Sequence, residues 1–256
     1  MGKNRSYRLG WVIPFGALIL WYIGTTYNWW NAYIVPPPQA VWNSACELCY
    51  SGLLWRHIYT SLYRVIVGFL LAFIVAFPLG IVLSLKPSWQ SLLGPTLEFF
   101  RNVPPLAMLP ILILWFGIGE TSKLIIVILA TFFPIFLNTL EGMTHYDNNL
   151  LEVGTVFGYP PHRLFWHIRL PQALPFIFVG IRLGFGYSWR SLIGAEMIAA
   201  ASGLGYMILD GEEMARPEIV VLGIFVIGIM GILTDWLIRC AMRRFSPYLN
   251  GRLSHG

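Results

Sequence analysis

Six apolar runs, at residues 9–27, 61–85, 92–117, 122–140, 172–201 and 219–238, constrain this chain more than any other feature. A helix needs about 20 apolar residues to cross the roughly 30 Å hydrocarbon core of a bilayer, and these runs meet or approach that length. In hydrocarbon every backbone N–H and C=O must be satisfied within the protein, so continuous apolar runs of this length form helices. The composition agrees: 57% of the 256 residues are hydrophobic and 11% charged, against about a quarter charged in soluble domains. The expected fold is an all-α membrane protein with six transmembrane helices.

Six crossings place both termini on one side, and the basic residues select it. Lys3, Arg5, Arg8, Lys86, Arg163, Arg169, Arg239, Arg243, Arg244 and Arg252 fall on the terminal side; Arg56, Lys123 and Arg216 fall on the other. The positive-inside rule puts both termini, and the polar segment 152–171, in the cytoplasm. The net charge of +5 is scattered over the ends of apolar runs. It reads as a topology signal and not as a nucleic-acid surface.

The first run follows Lys3, Arg5 and Arg8 like a signal peptide, but it is too long and lacks a small-residue cleavage site. Trp29 and Trp30 close it as an interfacial belt, so it is expected to be a retained helix. Gly2 and Ser6 match the myristoylation pattern by chance. Between 28 and 60, Pro36, Pro37 and Pro38 open an amphipathic stretch bearing Val41, Trp42, Leu48 and Leu53, expected to lie along the outer membrane surface. The chain thus divides into 1–60, a helix with an external segment; 61–245, a core of five spans; and 246–256, a cytoplasmic tail. Cys46 and Cys49 form a lone C-x-x-C without a second pair or histidines at metal spacing, and Cys240 stands apart. No metal site or disulfide framework is expected.

Charges inside the runs carry the next signal. Glu98 and Arg101 lie one turn apart in the third run, which Pro104, Pro105 and Pro110 interrupt; the fifth carries Arg182, Arg190 and Glu196. A charge at the bilayer centre costs about 2.5–3.5 kcal/mol, while a good apolar residue returns only about 0.3–0.6. These residues are therefore expected to face the bundle. There they either line a route for an anion or form ion pairs, Glu98 and Glu196 with some of the arginines. A proline-broken helix likewise faces protein or a water-filled cavity. Asp210, Glu212 and Glu213 are expected in an external loop, and Gly203 and Gly205 at a tight turn or close helix approach.

The segment 152–171, EVGTVFGYPPHRLFWHIRLP, is polar and proline-broken. Asp147 suits an N-cap, and Leu150, Val153 and Phe157 recur at helical spacing. Gly158 would fall just past the last turn, where a left-handed residue is needed, and Pro160 and Pro161 stop the helix. A short helix offering one face to a soluble partner is expected.

Glu152, Gly158, Ile168, Leu170 and Pro171 sit in the register of the EAA loop, so the segment resembles that of membrane subunits of ATP-binding cassette (ABC) importers. Val153 and Gly154 replace the two alanines of the pattern. The stretches 57–68 (HIYTSLYRVIVG), 99–123 (FFRNVPPLAMLPILILWFGIGETSK) and 190–208 (RSLIGAEMIAAASGLGYMI) resemble the branch of these importers that handles sulfonates, taurine and nitrate. The resemblance implies a non-catalytic permease in the bacterial inner membrane, with Glu152, Val153, Gly154, Phe157, Gly158, Ile168, Leu170 and Pro171 coupling it to the ATPase. It further implies a pair of permease copies, two cytoplasmic ATP-binding subunits and an external solute-binding protein. No cofactor belongs to this chain; ATP and Mg would sit on the partner. The residues agree on one point: no G-x-x-x-x-G-K-[ST] phosphate loop is present. An intramembrane enzyme is the less suited reading, because no G-x-S-x-G or H-E-x-x-H occurs, and His162 and His167 lie among aromatics as interfacial residues. A self-contained secondary transporter or channel would leave the coupling-like segment without a use.

Overall fold

The computed structural model describes residues 12–245, with side chains to 242. Gly2, Lys3, Arg5, Arg8, Arg252 and the tail 246–256 lie outside the described residues. All regular structure among the described residues is helical. In chain order it runs α1 (Val12–Thr26), α2 (Pro38–Tyr50), α3 (Leu53–Leu85), α4 (Pro87–Asn102), a 3₁₀ turn (Pro105–Met108) and α5 (Leu109–Phe116). There follow α6 (Glu120–Thr144), α7 (Asn148–Val156), α8 (Pro161–Leu164), a π-helical turn (Phe165–Arg169), α9 (Leu170–Ala199), α10 (Leu204–Glu213) and α11 (Pro217–Phe245).

Four helices, α3, α6, α11 and α9 with the turns that precede it, are long and apolar enough to cross a membrane. The bent pair of α4 and Pro105–Phe116 makes five if it counts as one crossing. Over its described residues, which begin at Val12, α1 has 15 residues and is about 22 Å long. The run 92–117 is thus not one straight helix: its two halves meet at 86°. The cause is local. Val103, pushed out of the α region by the following proline, has φ −81° and ψ 118°, and Pro104 is also extended. The helix restarts with Pro105 at its first position, where a missing N–H costs nothing.

Other elements run longer than the apolar runs alone suggest. α3 begins eight residues before 61; at 33 residues it is about 50 Å long, well beyond the hydrocarbon thickness. Asp210, Glu212 and Glu213 lie on α10, not in a loop, because Leu204, Met207 and Ile208 form a buried stripe at helical spacing.

The chain divides into two compact units, Met1–Thr60 with Ala201–Gly228 and Ser61–Ala200 with Ile229–Gly256. In the first unit, Trp21 donates its indole N–H to the Pro36 carbonyl at 3.0 Å and stacks on Phe225. α2 buries Val41, Ser44 and Leu48, whereas Trp42 points outward. Arg216 binds Glu47 and Glu218, both at 3.0 Å, and these carboxylates hold its guanidinium pKa above the ordinary value. Gly203 opens α10 at φ +125°, a glycine conformation, and its N–H donates to His57 Nδ1 at 3.0 Å.

The second unit is built on close helix approach. α6 and α9 pack with glycine against backbone: a Cβ at Gly142 would lie 3.0 Å from the Ala173 carbonyl oxygen, and one at Gly180 3.0 Å from that of Pro134. Lipid gives helices no hydrophobic reason to associate, so small residues that admit dense packing do this work. α3 adds Ala76 and Leu83 to a core with Ile135 and Phe136 of α6, ringed by Phe69, Phe73 and Phe77.

Candidate functional site

The helix–turn–helix formed by α7, α8 and the π turn is specified almost entirely by local residues. Asp147 is extended and its Oδ1 accepts from the Asn149 N–H at 2.9 Å, capping α7. At the far end Gly158 has φ +75°, its N–H reaches the Thr155 carbonyl at 2.9 Å, and the Tyr159 N–H reaches the Gly154 carbonyl at 3.0 Å. That pair of bonds is a Schellman motif, with glycine at the left-handed position it requires. Pro160 is extended and Pro161 starts α8, so the chain doubles back.

Gly154 stands where the pattern has its second alanine. It is buried, and a Cβ there would lie 2.6 Å from Leu164 Cδ2 and 2.8 Å from Ile168 Cδ1. The two halves of the segment, fourteen residues apart at Gly154 and Ile168, thus touch. Leu170 and Pro171 begin α9, and Glu152 lies exposed on α7. Leu150, Val153, Val156 and Phe157 form an apolar cap, with Val156 85% and Phe157 77% exposed. Val156 escaped the sequence reading, although it sits one turn beyond Val153.

The charges of the spans are not gathered at one place. Glu98 and Arg101 pair with each other at 3.3 Å on the exposed side of α4. Arg182 on α9 binds Asp235 of α11 at 2.6 Å, and Arg239 holds the same carboxylate at 3.1 Å. Arg190 is exposed, 6.0 Å from the Tyr187 ring centre. Of the three residues of α9 expected to face the bundle, Glu196 is enclosed within this chain, while Arg182 and Arg190 are exposed on the surface of the single chain. Sequence reasoning missed Asp235 as the partner of Arg182.

Glu196, fully buried, anchors a cluster joining three helices. Its carboxylate takes Arg64 Nη1 at 2.7 Å and the Ser61 hydroxyl at 2.7 and 2.9 Å. Arg64, 2% exposed, also gives Nε and Nη2 to the two oxygens of Glu120, each at 2.6 Å, and Lys123 binds Glu120 at 2.8 Å. A bidentate guanidinium–carboxylate pair is the strong form of such a contact. The partner of Glu196 is thus Arg64, not Arg101, Arg182 or Arg190. The available signal was a charge inside an otherwise apolar run.

A cavity of about 580 Å³ opens in the crook of the bent pair α4–α5 against α6 and α9, lined by Leu97, Arg101, Met108, Phe133, Tyr187 and Ser191 among others. That size falls in the range of small-molecule sites. Among the described residues no group of three His, Cys, Asp or Glu side chains could hold a metal ion.

Residues 65–247 match the family described as binding-protein-dependent transport system inner membrane component. The taurine transport system permease protein TauC of Escherichia coli is 34% identical over 263 residues, covering 96% of each chain. The putative aliphatic sulfonates transport permease protein SsuC of E. coli is 37% identical, covering 88% of this chain and 86% of that one. The bicarbonate transport system permease protein CmpB of Synechocystis is 29% identical over 91% of this chain and 86% of its own. Among solved structures, a chain of the MetNI methionine ABC transporter in an inward-facing conformation shares the fold, with TM-score 0.60, 17% identity and coverage of 75% and 97%. A multi-pass helical chain with this helix–turn–helix, matched over most of its length by such relatives, belongs to the inner membrane components of binding-protein-dependent transport systems, the permease subunits of ABC importers.

Proposed function

We propose that two copies of this chain form the translocation pathway of an importer for a small anionic solute, a sulfonate, taurine, nitrate or similar compound. Each copy contributes six spans with both termini in the cytoplasm, the run 9–27 supplying the first and the bent pair the third. An external binding protein delivers the cargo. Two cytoplasmic ATP-binding subunits, which carry the ATP and Mg, dock on the helix–turn–helix, and their closure moves the spans. Glu152, Val153, Gly154, Phe157, Gly158, Ile168, Leu170 and Pro171 serve this coupling. Glu98, Arg101, Arg182, Arg190 and Glu196 belong to the pathway or its walls.

The observation that carries this reading is the apolar cap of α7. Val153, Val156 and Phe157 stand exposed on a short, doubly capped helix of a permease-family chain. Exposed apolar patches bordered by polar residues mark protein contacts. Phe157→Asp should abolish co-purification of the ATP-binding subunit expressed alongside, while membrane insertion is unchanged. Retention of that subunit by the variant would refute docking at this cap.

A further inference from the structure

The helix–turn–helix hangs between two spans by unequal attachments. On the α6 side only residues 145–147 separate Thr144 from Asn148, and His145 is non-helical at φ −95° and ψ 78°. On the α9 side three side chains hold it. Ile168 packs on Gly154. Arg169 lies over the Tyr146 ring at 4.7 Å, and its Nη2 donates to the Tyr146 hydroxyl at 3.4 Å. Gln172 Oε1 accepts the backbone N–H of Asp147 at 2.8 Å.

The π turn Phe165–Arg169 runs directly into α9. A π turn holds one residue more than an α turn, which shifts the side-chain register by about 100° at that point. Ile168, Arg169 and Gln172, at helical spacing, then all meet the 146–154 stretch. Gln172 is outside the EAA pattern. Its Nε2 is buried and has no hydrogen-bond partner among the described residues, so the amide is held there by its oxygen and its shape.

We infer that Gln172 is a positioning residue for α7: by holding the Asp147 N–H it fixes where the docking helix starts relative to α9. Movement imposed on α7 then passes to the span instead of being absorbed in the 145–147 link. Arg169 on Tyr146 acts beside it. The inference rests on the docking reading of α7, and it adds the path by which docking is transmitted.

The test uses the full complex in lipid nanodiscs, with Gln172→Met, which keeps length but loses the acceptor, and Gln172→Glu, which keeps an acceptor oxygen. Hydrogen exchange at the Asp147 amide should speed about fivefold in Gln172→Met, the loss of one ordinary hydrogen bond. In proteoliposomes the ATP-binding subunit should remain bound while solute moved per ATP hydrolysed falls severalfold, and Gln172→Glu should restore both readouts. A merely structural residue would lower yield and leave that ratio unchanged. Wild-type exchange or a wild-type transport ratio in Gln172→Met would overturn the inference. If the unaltered chain retains no ATP-binding subunit, the docking reading itself fails, a result seen before any variant is compared.

Discussion

Replacing Arg64 by methionine removes the centre of the cluster joining α3, α6 and α9 while keeping most of the side chain's length. The consequences differ for its two partners. Glu120 is more than half exposed and retains Lys123 at 2.8 Å, so it loses little. Glu196 is 0% exposed, and its carboxylate would stay in the interior without the guanidinium that neutralises it. Removing one member of a buried pair destabilises by about 3–5 kcal/mol, and here most of that falls on Glu196. Glu196→Gln leaves Arg64 on Glu120 and loses one charge-assisted hydrogen bond, about 1.5–3 kcal/mol. The double variant removes both buried charges, so its loss should be smaller than the sum by about 1 kcal/mol or more. SDS-driven unfolding in mixed micelles, followed by tryptophan fluorescence at neutral pH, measures all three. A loss below about 1 kcal/mol for Arg64→Met, or strict additivity in the double variant, would refute the cluster's structural role.

Gly180→Val should destabilise the same unit by about 1–3 kcal/mol in that titration, because its Cβ would meet the Pro134 carbonyl oxygen at 3.0 Å and backbone cannot yield; an unchanged midpoint would deny the close α6–α9 approach. Arg182→Ala should insert and assemble normally, since Asp235 keeps Arg239 at 3.1 Å, yet reduce uptake. Normal uptake by the inserted variant would remove Arg182 from the pathway. Gly158→Asp should separate the chain from its ATP-binding subunit: the residue is held at φ +75°, where a side chain costs about 1–2 kcal/mol, and a charge is added beside the apolar cap. Unchanged complex formation and transport would contradict the docking assignment.

The helix–turn–helix was legible because its chemistry is local: Asp147, Gly158, Pro160 and Pro161 each dictate their own backbone, and the structure places an N-cap, a left-handed residue and a restart there. The prolines at 104 and 105 announced a break in the third run, but nothing in the order of residues states an angle of 86°. Ion-pair partners were illegible for a different reason. Arg64 and Glu196 are 132 positions apart, and which of several carboxylates an in-span arginine meets is settled by helix packing, not by spacing. α10 was mistaken for a loop because its acidic residues outweighed the buried stripe of Leu204, Met207 and Ile208.

The function proposed above has a separate ATPase drive this chain through its helix–turn–helix in response to a loaded binding protein. ATP hydrolysis should be measured in nanodiscs holding the chain with a co-expressed ATP-binding subunit of its transport system, with and without the binding protein of that system and candidate anions. Hydrolysis should rise several-fold with one loaded binding protein and stay at its basal rate with the empty one. An ATP-binding subunit that fails to co-purify, or hydrolysis indifferent to every loaded binding protein, would contradict it.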